Sequence, residues 1–448
     1  MGLKRILPVL RGFLFIIILL VIVLSVQRVL SVDSERIFEN VYGFYQERPD
    51  SLDGVFIGSS NVHSFWEPAF GWKQFGIAVW NLSVDEMPMK AVKYYIIEAR
   101  KTQPNALIMV NLNSFHKNTA DPSIVQIHRA VDYCPFSFNK VRMINALNSG
   151  PEHGFSDLLE SFFPVIRFHS RWSELKQWSF SNSFLRFKSS IHYSTYKSTS
   201  VDLSGKLTCY DVSETPSDDV LAVFSDLLLF CQKNQVSVLF VKVPQVLSEE
   251  EQGRLNHLES MAAAAGFPCL DLLENMDCLN LDLKTDFYNS GHTNAHGSLK
   301  VSDYLGQYLV TNYHFSDKRG LSEYADWDHE AERYMDYLKP DIFPFESNHP
   351  ERADIAAPGL NAPVVDGQNV FVSWNSSGGA DGFEVYRNDR TEWVLVADLP
   401  ASARTLSDQL PKSSGSYSYT VIPYRLQSER KQYGRFDVHG VGITAEEN

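Results

Sequence analysis

The stretch DGVFIGSSNVHSF, Asp53–Phe65, runs from an apolar segment into a glycine, two serines and a polar turn. Val55, Phe56 and Ile57 are consecutive apolar residues between Gly54 and Gly58, which is the pattern of a short buried strand. The segment after it has two readings. Glycine permits unusual backbone angles and serine caps a following helix, so GSS is an ordinary way to end a strand. A nucleophilic Ser60 would need more: a base, a group to orient that base, and donors aimed at a developing oxyanion.

Outward from this stretch the alternation continues. GIAVWNLS and ALIMVNLN read as a second and a third strand, with a helix over Met89–Thr102 between them. Further on, DDVLAVFSDLLLFCQKNQ repeats apolar residues at helical spacing, VSVLFVKVP is a near-continuous apolar strand, and GFPCLDL is another. Strands alternating with helices predict an α/β fold with a parallel sheet, taken here as residues 32–349. Residues 117–210 are less regular, rich in aromatics, histidine and serine, and read as an insertion or cap over the sheet. The polar run from Ser316 to Pro340 reads as a surface helix that closes the domain.

A proline-rich boundary, with the linker proper at 350–356, separates this domain from residues 357–448. There VFVSWN, GFEVYRN, WVLVADL and SYSYTVIPYR alternate in the β manner, with turn residues between them, which predicts an all-β sandwich. Trp374 on an early strand, Leu410 at a corner, and Tyr417, Tyr419 and Val421 on a late strand resemble the fibronectin type III, immunoglobulin-like pattern.

Residues 1–31 differ from everything after them. Lys4, Arg5 and Arg11 precede an uncharged run from Gly12 to Gln27, closed by Arg28. Ile6–Leu10 extend that run while Arg11 reaches toward the headgroups, which suits a spanning helix of ~20 residues. No small-x-small site follows closely, so an uncleaved anchor is read here in preference to a cleaved signal peptide. The basic residues lie mainly before the span, which predicts a cytoplasmic N-terminus and an extracellular bulk. A net charge of −14 without clustered Lys and Arg argues against a nucleic-acid partner. The five cysteines form no C-x-x-C pair and have no histidine at ligand spacing, so neither a metal site nor a disulfide framework is indicated, and no cofactor is expected.

The second informative stretch is TDFYNSGHTNAHGSLKVSDYLGQYL, Thr285–Leu309, in which a polar turn with two histidines precedes a helix. A GSS turn after the first strand together with an x-x-H turn before the last helix resembles the SGNH (GDSL-type) hydrolase superfamily. More narrowly, FIGSSNVHSF, FGIAVWNLS, FHSRWSEL (Phe168–Leu175) and DFYNSGHTN resemble the membrane-anchored SGNH hydrolase-like proteins of Gram-positive bacteria, over roughly Asp53–Tyr337. The resemblance implies a three-layer fold in which Ser60 is the nucleophile and its own N–H an oxyanion donor. It also implies Ser83, through its backbone N–H, and Asn113 as the other donors, and His292 as the base. Asn111 stands behind Asn113 as a second choice. The family places aspartate three residues before its histidine, whereas this chain has Asn289. An amide accepts a hydrogen bond from imidazole but brings no charge; Asp286 is the nearest carboxylate to supply one.

Separately, Arg171 suits paired hydrogen bonds to a carboxylate or phosphate, and Trp172 offers a face for a sugar ring; the alternative is a structural ion pair and a core tryptophan. His63 and His116, just beyond strand ends, are candidates for the same cleft or for solvated loops. Two functions follow. One is an extracytoplasmic, membrane-anchored serine esterase or O-acyltransferase acting on acylated carbohydrate; transfer would require the site to exclude water or deliver a carbohydrate hydroxyl, and a membrane acyl-donor protein is a candidate partner. The other is a decayed relative that binds glycan or protein. A competent site requires Ser60 Oγ within about 3 to 4 Å of a His292 nitrogen.

Overall fold

The computed structural model describes residues 3–30, 35–175, 177–180, 187–190, 200–342, 353–375, 378–389, 393–412, 414–427, 430–437 and 440–445. Helix α1 (Leu3–Leu30) contains an 18-residue apolar window, Leu10–Gln27, long enough and apolar enough to cross a membrane. Helix α2 (Glu35–Phe44) then packs against the first domain at β2.

The domain is built as β1 (Gly54–Gly58), α3 (Ser60–Phe65), α4 (Pro68–Phe75), β2 (Val79–Ser83), α5 (Met89–Thr102) and β3 (Leu107–Asn111). A helical excursion follows, α6 (Ile124–Val131), α7 (Phe138–Leu147), α8 (Phe155–Phe162) and α9 (Val165–Phe168). The chain returns through α10 (Asp218–Lys233), β4 (Val238–Lys242), α11 (Glu249–Ala264), β5 (Cys269–Asp271) and α12 (Met276–Leu279). A short hairpin, β6 (Phe287–Asn289) with β7 (His292–Thr293), leads into α13 (Ala295–Tyr313) and α14 (Ala325–Ile342).

The five long-range strands form one parallel sheet in the order β2-β1-β3-β4-β5. Their near-continuous apolar sequences follow from burial on both faces. Val55, Ile57, Ile108, Val110 and Phe240 enter one core, and Phe56, Leu107, Met109, Leu239 and Val241 enter the other. The order reverses direction between β1 and β3, and in open α/β sheets the crevice beyond the strand ends at such a switch point is where ligands bind. Ser60 begins immediately beyond β1, and Asn113 immediately beyond β3.

Gly58 makes this junction close. A Cβ there would stand 2.6 Å from Asn111 Cβ and 2.9 Å from Val62 Cγ2. The last residue of β1 therefore has to lack a side chain, since contacts that short force a neighbour aside.

One expectation needs correction and another is narrowed. The helix that closes the domain is not simply a surface helix: α14 packs on α4 and buries Trp327 and Tyr334, whose hydroxyl donates to Glu67 Oε2 at 2.5 Å. The interspersed aromatics of that polar run are core residues. The excursion at 117–210, expected as an insertion or cap, is an insertion of helices between β3 and α10, and among the described residues it covers the sheet only in part, where the turn Phe187–Ser189 packs on β2. Helix α7 packs against α5 at the side of the domain, and among the described residues of the excursion it is the segment just after β3, with Gln126 of α6, that lines the crevice. Residues 176, 181–186 and 191–199 of it lie outside the described residues.

The C-terminal region is antiparallel throughout. It comprises β8 (Val364–Asp366), β9 (Asn369–Ser373), β10 (Gly382–Asn388), β11 (Trp393–Pro400), β12 (Thr405–Gln409), β13 (Gly415–Gln427), β14 (Arg430–Tyr433) and β15 (Val441–Ala445). One sheet runs β11-β10-β13-β14 with β15 also on β13, and the other β12-β9-β8. Val370, Val372, Trp374, Phe383, Val385, Leu410, Tyr419 and Val421 from the two sheets and the intervening corner form a single core.

Gly58→Ala is expected to destabilise the first domain by about 1–3 kcal/mol, the usual cost of overpacking a closed site. Denaturant unfolding of the variant beside the parent measures it, and an unchanged midpoint would show that the strand ends have room to part.

Candidate functional site

Ser60 opens α3, so its side chain projects from the first helical position at the mouth of the crevice. The histidine arrives from the far end of the domain on the β6–β7 hairpin, where Asn289 and His292 are paired across Ser290 and Gly291. Ser60 Oγ lies 2.7 Å from His292 Nε2, and His292 Nδ1 lies 2.9 Å from Asn289 Oδ1. Both Ser60 and His292 are half-buried, open to the crevice on one side.

The orientation of the Asn289 amide is fixed by a third group. Gly291 N–H donates to Asn289 Oδ1 at 2.9 Å, so the amide oxygen faces both the backbone and the imidazole. An oxygen opposite Nδ1 requires the proton on Nδ1. The lone pair of Nε2 then points at the Ser60 hydroxyl, which is the tautomer a general base needs.

Two further contacts hold the hairpin on α3, and a third ties it to the segment after β4. Asn61 Nδ2 donates to Gly291 O at 2.8 Å, while Asn61 Oδ1 accepts from Ser59 Oγ at 2.7 Å. The Thr293 hydroxyl donates to Ser64 O. Val246 N–H donates to Ser290 O at 2.8 Å, tying the hairpin tip to the segment after β4. Asn294 caps α13 by accepting from Gly297 N–H at 3.2 Å, and its Nδ2 reaches Thr285 O at 2.6 Å.

Asp286 does not stand behind His292. Its buried carboxylate accepts from Lys300 Nζ at 3.0 Å, Asp282 N–H at 2.7 Å and the Thr285 hydroxyl at 3.2 Å. It is a structural carboxylate under α13, and the expectation that it would replace the missing aspartate is corrected. Ser83 is wholly buried and does not line the crevice: its hydroxyl accepts from Asn40 Nδ2 at 3.0 Å and lies 3.1 Å from His63 Nδ1. His63 is likewise buried, with Nε2 3.8 Å from Asp85 Oδ1. Asn111 is buried beneath the junction and does not line the crevice.

Asn113 does line it, yet its amide is engaged. Nδ2 donates to Val243 O at 3.0 Å and to Gln245 Oε1 at 3.1 Å, while Oδ1 accepts from Val243 N–H at 2.9 Å. Donation to a ligand would replace the Gln245 contact. Gln245, just after β4, also lines the crevice and was missed in the sequence; its position beyond a parallel strand end was the available signal. His116 lines it too, donating from Nδ1 to Asn113 O at 2.8 Å. Burial lowers its pKa, against the opposing pull of that carbonyl, so it is neutral at pH 7.

The crevice measures about 270 Å³ and has one apolar wall, made by Met87, Pro88, Met89, Ala120 and Pro122. That size falls at the small end of ligand pockets, ~300 Å³ and upward, and suits a small group beside a larger exposed one. Arg171 and Trp172 do not line it. Arg171 donates to Leu30 O at 2.7 Å and to Glu174 at 3.2 Å, and Trp172 is exposed on the same 3₁₀ turn. The expectation that they form part of the substrate site is corrected by this placement. Among the described residues no cluster of His, Cys, Asp and Glu suits a metal ion.

Fold and site together define an α/β domain with a five-stranded parallel sheet and a Ser–His pair at its switch point, followed by an antiparallel all-β region. No family model matches the chain, and no curated protein matches it. Among solved structures, a beta-1,2-glucanase from Parabacteroides distasonis is 15% identical over 21% of this chain and 13% of its own, with a TM-score of 0.18. Pectate lyase Pel3 from Pectobacterium carotovorum is 20% identical over 18% of this chain and 25% of its own, at 0.16. An Fn3-like protein from Clostridium thermocellum is 20% identical over 19% of this chain and 90% of its own, also at 0.16. The chain thus spans a quarter or less of the glucanase and the lyase, and likenesses at these scores assign neither a family nor an activity.

Asn61→Ala removes the bridge from α3 to Gly291 O. Loosening of the hairpin is the expected result, seen as faster amide hydrogen exchange in peptides covering 286–294 and a stability loss of about 1–2 kcal/mol. Exchange unchanged in those peptides would mean that the remaining contacts suffice to hold the hairpin.

Proposed function

We propose that the chain is a membrane-anchored serine esterase or O-acyltransferase that acts on acyl, most simply acetyl, esters of cell-envelope or exported carbohydrate. The observation that carries this reading is the 2.7 Å contact from Ser60 Oγ to His292 Nε2, with Nδ1 held by an amide oxygen whose orientation is locked. The sequence resemblance to SGNH hydrolases supports ester chemistry, the apolar helix Leu10–Gln27 supports attachment to a membrane, and its flanking charge supports an outside location for the rest. The C-terminal region is read as an immunoglobulin-like sandwich of the fibronectin type III kind that spaces or docks the catalytic domain.

In this mechanism Ser60 Oγ attacks the ester carbonyl carbon as its proton passes to His292 Nε2. The oxyanion is met by the Ser60 N–H, which sits where a helix supplies no carbonyl partner, and by the Asn113 amide once the carbonyl oxygen displaces Gln245. Collapse breaks the bond to the sugar oxygen, which takes the proton from His292. Water, or a second carbohydrate hydroxyl in the transferase case, then attacks the acyl-serine, and His292 accepts and returns its proton. The small apolar wall beside Ser60 suits an acetyl methyl group.

Asn289 favours a second reading, a non-catalytic binding protein, because a neutral amide brings no charge of its own to an imidazolium. The size of that handicap follows from the geometry. In serine proteases an aspartate-to-asparagine change costs about 10⁴-fold because it admits the wrong tautomer. Here Gly291 N–H already enforces the right one. What is missing is a charge-assisted hydrogen bond, worth about 1.5–3 kcal/mol, or roughly ten- to a hundredfold.

Turnover of a small acetyl ester by the full-length chain in detergent is expected to vanish in Ser60→Ala and in His292→Ala. Identical rates in all three proteins would overturn the esterase reading and leave donor-dependent transfer or binding alone. In the same assay Asn289→Asp is expected to raise kcat roughly ten- to a hundredfold; a fall would show that Asn289 acts through hydrogen bonds an aspartate cannot reproduce.

A further inference from the structure

The segment that follows α8 carries large apolar side chains in water. Phe163, Ile166, Trp172 and Phe180 are 37%, 46%, 72% and 68% exposed, within a stretch of 18 residues. None of the four lines the crevice. Exposed apolar residues are ordinary, and Phe136, Phe138 and Phe155 are further examples; what sets these four apart is that their segment packs against an exposed apolar helix.

What faces these side chains is indicated by what the segment touches. Helix α9 and the 3₁₀ turn Gln177–Phe180 both pack against α1. Arg171 Nη1 donates to the Leu30 carbonyl at 2.7 Å, satisfying one of the last orphan carbonyls of that helix. Along α1 the side chains from Leu10 to Ile22 are exposed, whereas Gln27 and Leu30 are buried against the protein. The 18-residue window Leu10–Gln27 is ~27 Å long at 1.5 Å per residue, close to the ~30 Å of a bilayer's hydrocarbon core. The level at which α1 leaves the hydrocarbon is therefore the level at which it meets this segment.

We infer that the described residues of 163–175 and 177–180 form a membrane-interface surface, in which Trp172, Phe180, Ile166 and Phe163 lie in the bilayer boundary beside the emerging anchor helix. Tryptophan and tyrosine are enriched at that depth, with an apolar body in the acyl region and a polar edge toward water, which suits Trp172, while Phe163, Ile166 and Phe180 add apolar area. The cations of the segment are arranged to suit it. Arg167 is paired with Asp132 at 2.6 Å and Arg171 with a backbone carbonyl, and each guanidinium also lies over the Phe168 ring. Neither has to be buried bare. The surface gives Trp172 a role in place of the carbohydrate contact expected from sequence. It makes two attachments of one: the anchor holds the chain at the membrane, and the aromatic surface fixes the tilt of the domain on it. The inference is independent of any ester chemistry.

The test uses the full-length chain in phosphatidylcholine–phosphatidylglycerol nanodiscs, with and without bromine on the acyl chains, and the variant Trp172→Phe. The difference in emission between parent and variant belongs to Trp172. That component is expected to be blue-shifted and to lose most of its intensity in brominated lipid, while aqueous acrylamide leaves it largely intact. A second reporter, Phe180→Trp in the Trp172→Phe background, is expected to behave the same way. Quenching of both reporters by acrylamide and not by bromine would place the segment in water and overturn the inference. Protection from both quenchers would also overturn it, by showing that another protein surface, such as a second copy of the chain, covers the patch.

Discussion

The first domain depends on the absence of a side chain at residue 58. There β1 ends, α3 begins, and β3 runs alongside closely enough that a methyl group would fall 2.6 Å from Asn111 Cβ. Because Gly58 is bare, Ser59 N–H can reach Ser114 Oγ at 3.2 Å, joining the turn after β1 to the turn after β3. Both turns stand at the point where the sheet order reverses, so the crevice forms between two segments held together beneath it. Ser60 inherits its position from that closure. The hairpin carrying His292 then needs only to dock on α3, and it does so through Asn61, Thr293 and Ser60 itself.

How much of this was legible in the sequence depends on the range over which each feature is decided. The strands were legible because burial on both faces leaves an unbroken apolar run, and GVFIG, IMVN and VLFVK have no alternative use for consecutive buried side chains. Ser60 and His292 were legible as a pair through their positions after a first strand and before a last long helix. The order of the strands was not, since parallel pairing is settled by packing between segments distant in the chain. The role of Gln245 was hidden for the same reason: only the alignment of β4 beside β3 brings it to Asn113. Asp286 was misjudged because spacing cannot tell which way a carboxylate faces, and Lys300, one and a half turns into α13, claims it. The aromatics of α14 were read as surface residues because a polar helix with sparse rings looks exposed until α4 is laid against it.

The chain also contains a serine, a histidine and an aspartate in mutual proximity that do not form a crevice. Ser83 Oγ lies 3.1 Å from His63 Nδ1, and His63 Nε2 lies 3.8 Å from Asp85 Oδ1. By residue type this trio is the more complete of the two, since it has the carboxylate that the Ser60 group lacks. Its serine and histidine are buried, however, with His63 on the inner side of α3 only 1% exposed, and the serine already accepts a hydrogen bond from Asn40. No substrate carbonyl can approach a hydroxyl enclosed in this way. Access and direction, rather than the roster of side chains, separate the two groups.

The same criterion bears on Asn289. A carboxylate behind a catalytic histidine does two things: it selects the tautomer, and it stabilises the charge that forms when the proton arrives. The first needs only an acceptor held in place, and Gly291 N–H supplies that hold by turning the amide oxygen inward. The second needs a negative charge within a few ångströms, and the nearest buried carboxylate in sequence, Asp286, is spent on Lys300. Asn289 keeps orientation and brings no charge of its own. Orientation is the part that geometry can deliver at no electrostatic cost, because a neutral amide in a half-buried hairpin needs no counter-ion, whereas a carboxylate there would have to be desolvated each time the imidazole returned to its neutral form. A histidine oriented on these terms receives no charge from Asn289, but its resting tautomer already turns the Nε2 lone pair toward Ser60.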